Sequence, residues 1–204
     1  MSLFYMFHKP TGCVTARVDD RNPTVTDYLP PHLAAILHPI GRLDKDTEGL
    51  LIFTNDGRAD ARLSGPQAHV GKTYRFYAFG TLTEEGLRAL REGVYLRRGD
   101  FTTAPAEAEL LEMRTVADCA DRLPPAYRRT LRRNPDGAVS VGQLRIREGK
   151  WHQVKRMLRA VGCEIFYLQR LAVGQLRLDE TLPKGGLRPL TEAEVALLFT
   201  ADGP

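Results

Sequence analysis

Residues 41–57 read GRLDKDTEGLLIFTNDG, which sets two carboxylates, Asp44 and Asp46, in a charged turn directly ahead of an apolar run. Neighbouring carboxylates can form an acid/base pair or hold a cation. A metal site would need further His, Cys or carboxylate ligands at matched spacing. The five histidines (His8, His32, His38, His69, His152) are scattered and Cys13, Cys119 and Cys163 lie far apart, so no metal is expected. The loop lacks the glycine spacing of a phosphate-cradling turn, and no G-x-S-x-G or Cys/His arrangement occurs elsewhere. A single carboxylate able to act as a nucleophile therefore remains. It would have to be ionised, a state that a nearby Lys or Arg favours. Two other features accompany it: an aromatic strand containing Tyr74 and a helix with a basic face. Such groups suit an unstacked base and its phosphates, so the residues alone suggest an enzyme acting on RNA or DNA.

These groups must be positioned by a scaffold that reads mostly as strand. Leu3 to His8 and Leu50 to Thr54 are apolar runs of strand length, the second closed by an Asn55-Asp56-Gly57 turn. Thr73 to Phe79 (TYRFYAF) alternates Tyr74, Phe76 and Ala78 on one face with Thr73, Arg75, Tyr77 and Phe79 on the other. Further strands are expected at Glu107 to Glu112, Val139 to Arg147, Ile165 to Leu171 and Gln175 to Leu178. Thr83 can cap a helix through Val94 with Leu87, Leu90 and Val94 as its apolar stripe, and Thr191-x-x-Glu194 is a capping box for a C-terminal helix. In the helix from Trp151 to Val161, the spacing puts Trp151, Val154, Leu158 and Val161 on one face. His152, Lys155, Arg156 and Arg159 share the other side, and Gly162 stops the helix.

The chain has 204 residues, 43% of them apolar, enough for one sizeable core. It carries 29 Lys plus Arg against 25 Asp plus Glu, a net charge of +4 that permits a polyanionic partner. Three separated cysteines fit a reducing compartment, and no leader or membrane-length apolar run is seen, so a cytoplasmic protein is expected. Between Thr115 and Asp136 the sequence TVADCADRLPPAYRRTLRRNPD reads as an inserted basic arm or loop at about 115–137, carrying Arg122, Arg128, Arg129, Arg132 and Arg133. Phosphate contact needs only its positive charge and reach. No repeat or linker divides the chain, and one domain over residues 1–204 is expected.

The opening stretch resembles the signature of the RsuA-like pseudouridine synthases. Lys9-Pro-Thr-Gly12, Gly71-Lys-Thr-Tyr74, Glu148-Gly-Lys-Trp-His-Gln-Val-Lys-Arg-Met157 and the segment from Leu168-Gln-Arg170 to Arg188-Pro-Leu-Thr191 follow the family's elements in order, so the likeness spans about residues 3 to 198. The resemblance implies an α+β catalytic domain, with a mixed, largely antiparallel sheet, flanking helices and a central cleft. It makes Asp44 the nucleophile, Tyr74 the active-site aromatic and Lys155 the basic partner. It places RNA contacts at Arg42, Lys9, His152, Arg156 and Arg159, leaves Asp46 as a loop-stabilising carboxylate and requires no cofactor.

The implied reaction is isomerisation of one uridine in ribosomal RNA to pseudouridine on a flipped-out nucleotide. Small-subunit (16S) RNA is favoured over large-subunit (23S) RNA. The partner would be ribosomal RNA or a ribosome-assembly intermediate, bound by a monomer. Many relatives carry a small N-terminal RNA-binding domain before the Lys-Pro-x-Gly element. Its absence here leads us to expect substrate affinity from the catalytic domain, with the Arg-rich stretch as the compensating surface. A catalytically silent RNA-binding or ribosome-assembly protein, and a nucleoside-processing hydrolase, are the rival readings.

Overall fold

The structure, a computed structural model, describes residues 2–65 and 68–200. In chain order its elements are β1 (Phe4–Lys9), α1 (Pro31–Ala34), β2 (His38–Ile40), β3 (Thr47–Thr54), α2 (Gly57–Ser64), β4 (Lys72–Phe79), α3 (Glu84–Glu92), β5 (Tyr95–Leu96) and β6 (Phe101–Thr102). There follow β7 (Glu107–Thr115), α4 (Arg128–Arg133), β8 (Ala138–Ile146), α5 (Gln153–Ala160), β9 (Glu164–Val173), β10 (Leu176–Arg177), β11 (Leu187–Pro189) and α6 (Glu192–Phe199). The class is α+β, and the strand pairings β1–β3, β1–β11, β2–β3, β7–β8, β9–β10 and β5–β6 are all antiparallel. Among the described residues no helix is long and apolar enough to cross a membrane. The chain forms two compact units, Met1–Lys72 with Gln169–Pro204, and Thr73–Leu168.

In the first unit the strands run β11–β1–β3–β9, with β2 also on β3 and β10 on β9. β3 is buried along its whole length, which is why its sequence reads as a continuous apolar run rather than an alternation. Leu50 and Ile52 join Met6, Leu63, Val173, Leu176 and Leu198 in one cluster, while Phe53 meets Phe7 edge-on at 5.7 Å. Each such side chain contributes about 1.5–3 kcal/mol by leaving water. The backbone of β3 must also pass close to β9. Gly49 has φ +110°, and a Cβ there would collide with the Arg170 carbonyl oxygen, so only glycine fits. The Asn55-Asp56-Gly57 turn both ends β3 and starts α2: the Asp56 carboxylate accepts from the Arg58 and Ala59 amides at 2.9 and 3.2 Å.

In the second unit the order is β9–β4–β8–β7, with the β5–β6 hairpin as a separate small sheet. β4 carries aromatics on both faces, as its sequence suggests. Tyr77 packs with Phe166 and Tyr167, whereas Phe76 presses so closely on Gly142 that a Cβ there would collide with its ring. Thr83 caps α3 by accepting from Gly86 N at 3.1 Å, and Leu87, Leu90 and Val94 are all buried.

The basic segment expected as an arm or loop is folded. It contains short helical turns at Ala117–Cys119 and Pro125–Tyr127 followed by α4, and Val116, Cys119, Leu123, Tyr127 and Leu131 join the cluster around Tyr77 and Phe166. Arg122 is committed to that cluster, donating from Nη1 to the Tyr167 hydroxyl at 3.1 Å. Arg128, Arg129, Arg132 and Arg133 remain exposed.

Candidate active site

In the first unit the loop before β3 is fixed at three backbone points. The buried Thr15 hydroxyl donates to the Leu43 carbonyl at 2.8 Å and accepts from the Leu43 amide at 3.1 Å, gripping the residue before Asp44 from both sides. The Gly12 amide donates to the Lys45 carbonyl at 2.8 Å, so the Lys9-Pro-Thr-Gly12 element clasps the residue after it. The Thr47 amide closes the turn on the Asp44 carbonyl at 3.1 Å. Gly41 supplies the left-handed backbone, φ +65°, that swings the chain into this loop. Lys45 reaches sideways to the Asn22 side chain at 2.6 Å. Arg42 is exposed and Asp44 half-buried, which leaves the Asp44 side chain on a rigid backbone with access to solvent.

Lys9 corrects a sequence expectation. Expected to contact RNA, it is 0% exposed and sits beneath the loop, donating from Nζ to the Pro10 and Thr47 carbonyls at 3.0 and 2.8 Å. A lysine is almost never fully buried without such partners. Burial pushes its pKa below the ordinary 10.5, and the nearby Cys13, Asp46, Asp44 and Glu48 oppose that shift. Lys9 is thus an internal residue whose Nζ is taken by two backbone carbonyls, and RNA cannot reach it. Glu48, also buried, pairs with Lys184 at 2.7 Å. Neither Thr15 nor Glu48 stands out in the sequence. A lone buried threonine carries no pattern until its partner is known.

In the second unit Tyr74 lies near the start of β4 and is 8% exposed. Lys155, Arg156 and Arg159 lie on α5, whose buried face is Gln153, Val154, Met157 and Leu158. Lys155 is half-buried; Arg159 is exposed and paired with Glu164 at 3.1 Å. Arg156 packs its guanidinium 5.4 Å from the Phe101 ring centroid with Nη2 buried, so that group is largely turned to the protein. Trp151 departs from the expected apolar face: it precedes the helix and is 55% exposed.

The turn ahead of α5 is built by two polar residues that sequence reasoning passed over. Gln153 Oε1 accepts from Lys150 N at 3.0 Å, its Nε2 donates to Glu148 at 2.6 Å, and Glu148 also accepts from Ala104 N at 3.0 Å. This explains why glutamate and glutamine stand where they do in Glu-Gly-Lys-Trp-His-Gln. Among the described residues no group of three or more His, Cys, Asp or Glu side chains is placed to hold a metal ion.

The first unit thus offers a carboxylate on a clamped loop, and the second an aromatic strand and a basic helix, each on an α+β scaffold. The family model for RNA pseudouridylate synthase matches residues 4–160, and the chain belongs to that family of RNA-acting isomerases. It is 40% identical over 96% of its length to the uncharacterised RNA pseudouridine synthase YtzG of Bacillus subtilis, covering 73% of that protein. It is 35% identical to ribosomal small subunit pseudouridine synthase A of Haemophilus influenzae, over 96% of this chain and 73% of that one. A crystal structure of a pseudouridylate synthase superposes with a TM-score of 0.79 at 35% identity, over 97% of this chain and 74% of that chain. The human RNA pseudouridylate synthase domain containing 1 shares the fold, with a TM-score of 0.58 at 14% identity.

Proposed function

We propose that this chain isomerises one uridine of ribosomal RNA to pseudouridine, with Asp44 as the nucleophile and small-subunit RNA as the favoured substrate. The observation that carries the assignment of Asp44 is its setting. The backbone is pinned at Leu43 and Lys45, the internal Lys9 lies nearby, and Asp44 is only half-buried. In the reaction the bond from C1′ to N1 breaks, the detached uracil turns, and C1′ bonds to C5. N1 gains a proton and C5 loses one, so no oxidant, reductant or hydrolytic water is consumed. Asp44 acts on the ribose or on the base.

Tyr74 serves as the aromatic against which the flipped base stacks, and Lys155 as the basic partner of the reacting carboxylate, as the family resemblance implies. Arg42, beside Asp44 in the same loop and exposed, contacts RNA near the extruded nucleotide. His152 and Arg159 are further RNA contacts. The preference for small-subunit RNA is supported by the small-subunit synthases among the relatives.

Asp44→Asn keeps the size of the side chain and removes its charge. It should abolish pseudouridine formation while leaving RNA binding within about twofold, because one loop carboxylate adds nothing to phosphate affinity. Pseudouridine mapping of both ribosomal RNAs from cells with and without the gene names the substrate. A single missing small-subunit site is expected, and a missing large-subunit site would move the assignment there. Wild-type protein that binds RNA but never isomerises it would point to an assembly factor, and release of free uracil to a hydrolase.

A further inference from the structure

The second unit carries a surface that the proposed catalytic groups do not use, where the β5–β6 hairpin lies against the start of α5. The exposed indole of Trp151 stacks on the His152 ring with centroids 3.9 Å apart and planes 15° apart, and the Arg98 guanidinium lies 4.3 Å from the indole centroid. Beside them Phe101 carries Lys150 Nζ at 3.5 Å and the Arg156 guanidinium at 5.4 Å. Two aromatic rings thus hold three cations.

The backbone beneath is strained and braced. Asp100 and His152 have φ of 48° and 49°, a region that side-chain-bearing residues rarely adopt. Such conformations persist only where the surroundings over-determine them, and they gather at ligand-contacting places. Here Tyr95 donates to Asp100 at 2.6 Å, and the Gln153 and Glu148 hydrogen bonds fix the turn before α5.

Charge balance favours an anionic partner. Two carboxylates at this surface are engaged, Asp100 by the Tyr95 hydroxyl and Glu148 by Ala104, Gln153 and Lys150. Arg156 is committed to bracing, with Nη1 directed at the Trp151 carbonyl at 3.4 Å and Nη2 buried. Arg97 and Arg98 are exposed and, among the described residues, have no carboxylate partner. A guanidinium resting on an aromatic ring loses little freedom when it binds, and its planar fork of N–H donors matches a phosphate.

We propose that the β5–β6 hairpin and the Lys150-Trp151-His152 turn form a docking surface for the sugar-phosphate backbone of the RNA substrate, in which Trp151 holds Arg98 oriented toward one phosphate. The proposal rests on the RNA-modifying function above. Trp151 is the chain's single tryptophan, so its emission reports on this surface directly.

The test titrates in vitro transcribed small-subunit ribosomal RNA into the full chain, following tryptophan emission and filter binding across a salt series. Emission should change as RNA saturates. Arg98→Ala should weaken binding about tenfold, the size of one charge-assisted contact, and reduce the slope of log K against log salt by about 0.7–0.9. Trp151→Ala should reproduce that loss, Trp151→Phe should retain most of the affinity, and the double variant should bind no worse than Arg98→Ala alone. Wild-type affinity and salt slope in Arg98→Ala, unchanged emission at saturation, or additive losses in the double variant would each overturn the proposal. Failure of the wild-type protein to form pseudouridine would instead remove the function on which it rests. Melting curves check that each variant folds, and the phenylalanine variant keeps the test decisive if Trp151→Ala does not.

Discussion

Lys9 shows how far a residue's role depends on what surrounds it. In sequence it is a lysine after an apolar strand, and the natural expectation is a basic contact to an anionic ligand. In the fold it lies inside, where two carbonyls accept from its Nζ and nearby carboxylates partly oppose the lowering of its pKa by burial. Lys9→Met should leave the Pro10 and Thr47 carbonyls without their donor, costing about 2 kcal/mol, or a melting-temperature drop of roughly 4–8 °C. It should also lower pseudouridine formation, because the Asp44 loop loses the cation beneath it. The pH dependence has a definite sign. Because burial holds the folded-state pKa below 10.5, the unfolded chain binds more protons between the two values. The cost of burying the ammonium is felt below the folded pKa and relieved as pH rises through it. Stability of the wild type relative to Lys9→Met should therefore increase with pH across that alkaline window. Parallel unfolding curves for the two proteins would refute the assignment.

Among the elements, those whose signal is local were legible. The Thr191-x-x-Glu194 box forms as expected: Glu194 N donates to the Thr191 hydroxyl at 3.2 Å and Thr191 N to the Glu194 carboxylate at 2.9 Å. The structure adds Arg188, which donates to the same carboxylate at 2.7 and 3.0 Å and, with the Thr191 contacts, lowers its pKa to about 2. A carboxylate with a depressed pKa contributes stability that is present above its unfolded value near 4.5 and lost as pH falls through about 2. Glu194→Gln should lower the melting temperature at neutral pH and flatten the decline between those limits, measured by acid titration of unfolding. An acid limb identical to wild type would show that the pair adds nothing. Helices α2 and α4 are not legible in the sequence, for a physical reason. Only Ala59 and Leu63 of α2 are buried and no residue of α4 is, so neither has an apolar stripe to reveal its period.

At the scale of the molecule the question is where a net charge of +4 is concentrated. Arg128, Arg129, Arg132 and Arg133 are exposed on α4, which Leu131 and the adjacent Tyr127 anchor to the second unit's core. Replacing these four with alanine should leave the melting temperature nearly unchanged while weakening RNA binding, with the salt slope falling by about 0.7–0.9 for each phosphate no longer neutralised. An unchanged salt slope would exclude α4 from the RNA interface. Arg122 is left intact in this variant because its guanidinium is packed against Tyr167 and Tyr77.

The sequence by itself determined the family, the strands β1, β3, β4, β7, β8 and β9, and the capped ends of α3 and α6, and it singled out Asp44 as the candidate nucleophile. Each of these is written in nearest neighbours, in a period or in a motif of adjacent residues. Only the tertiary structure decided that Lys9 is internal, that Trp151 is external, that Thr15 grips Leu43, and that the basic segment folds into short helical turns and α4 against the second unit's core. Burial and hydrogen-bond partnership are properties of residue pairs far apart in the chain, such as Thr15 with Leu43 or Arg122 with Tyr167. Neither residue's own neighbourhood encodes such a pair.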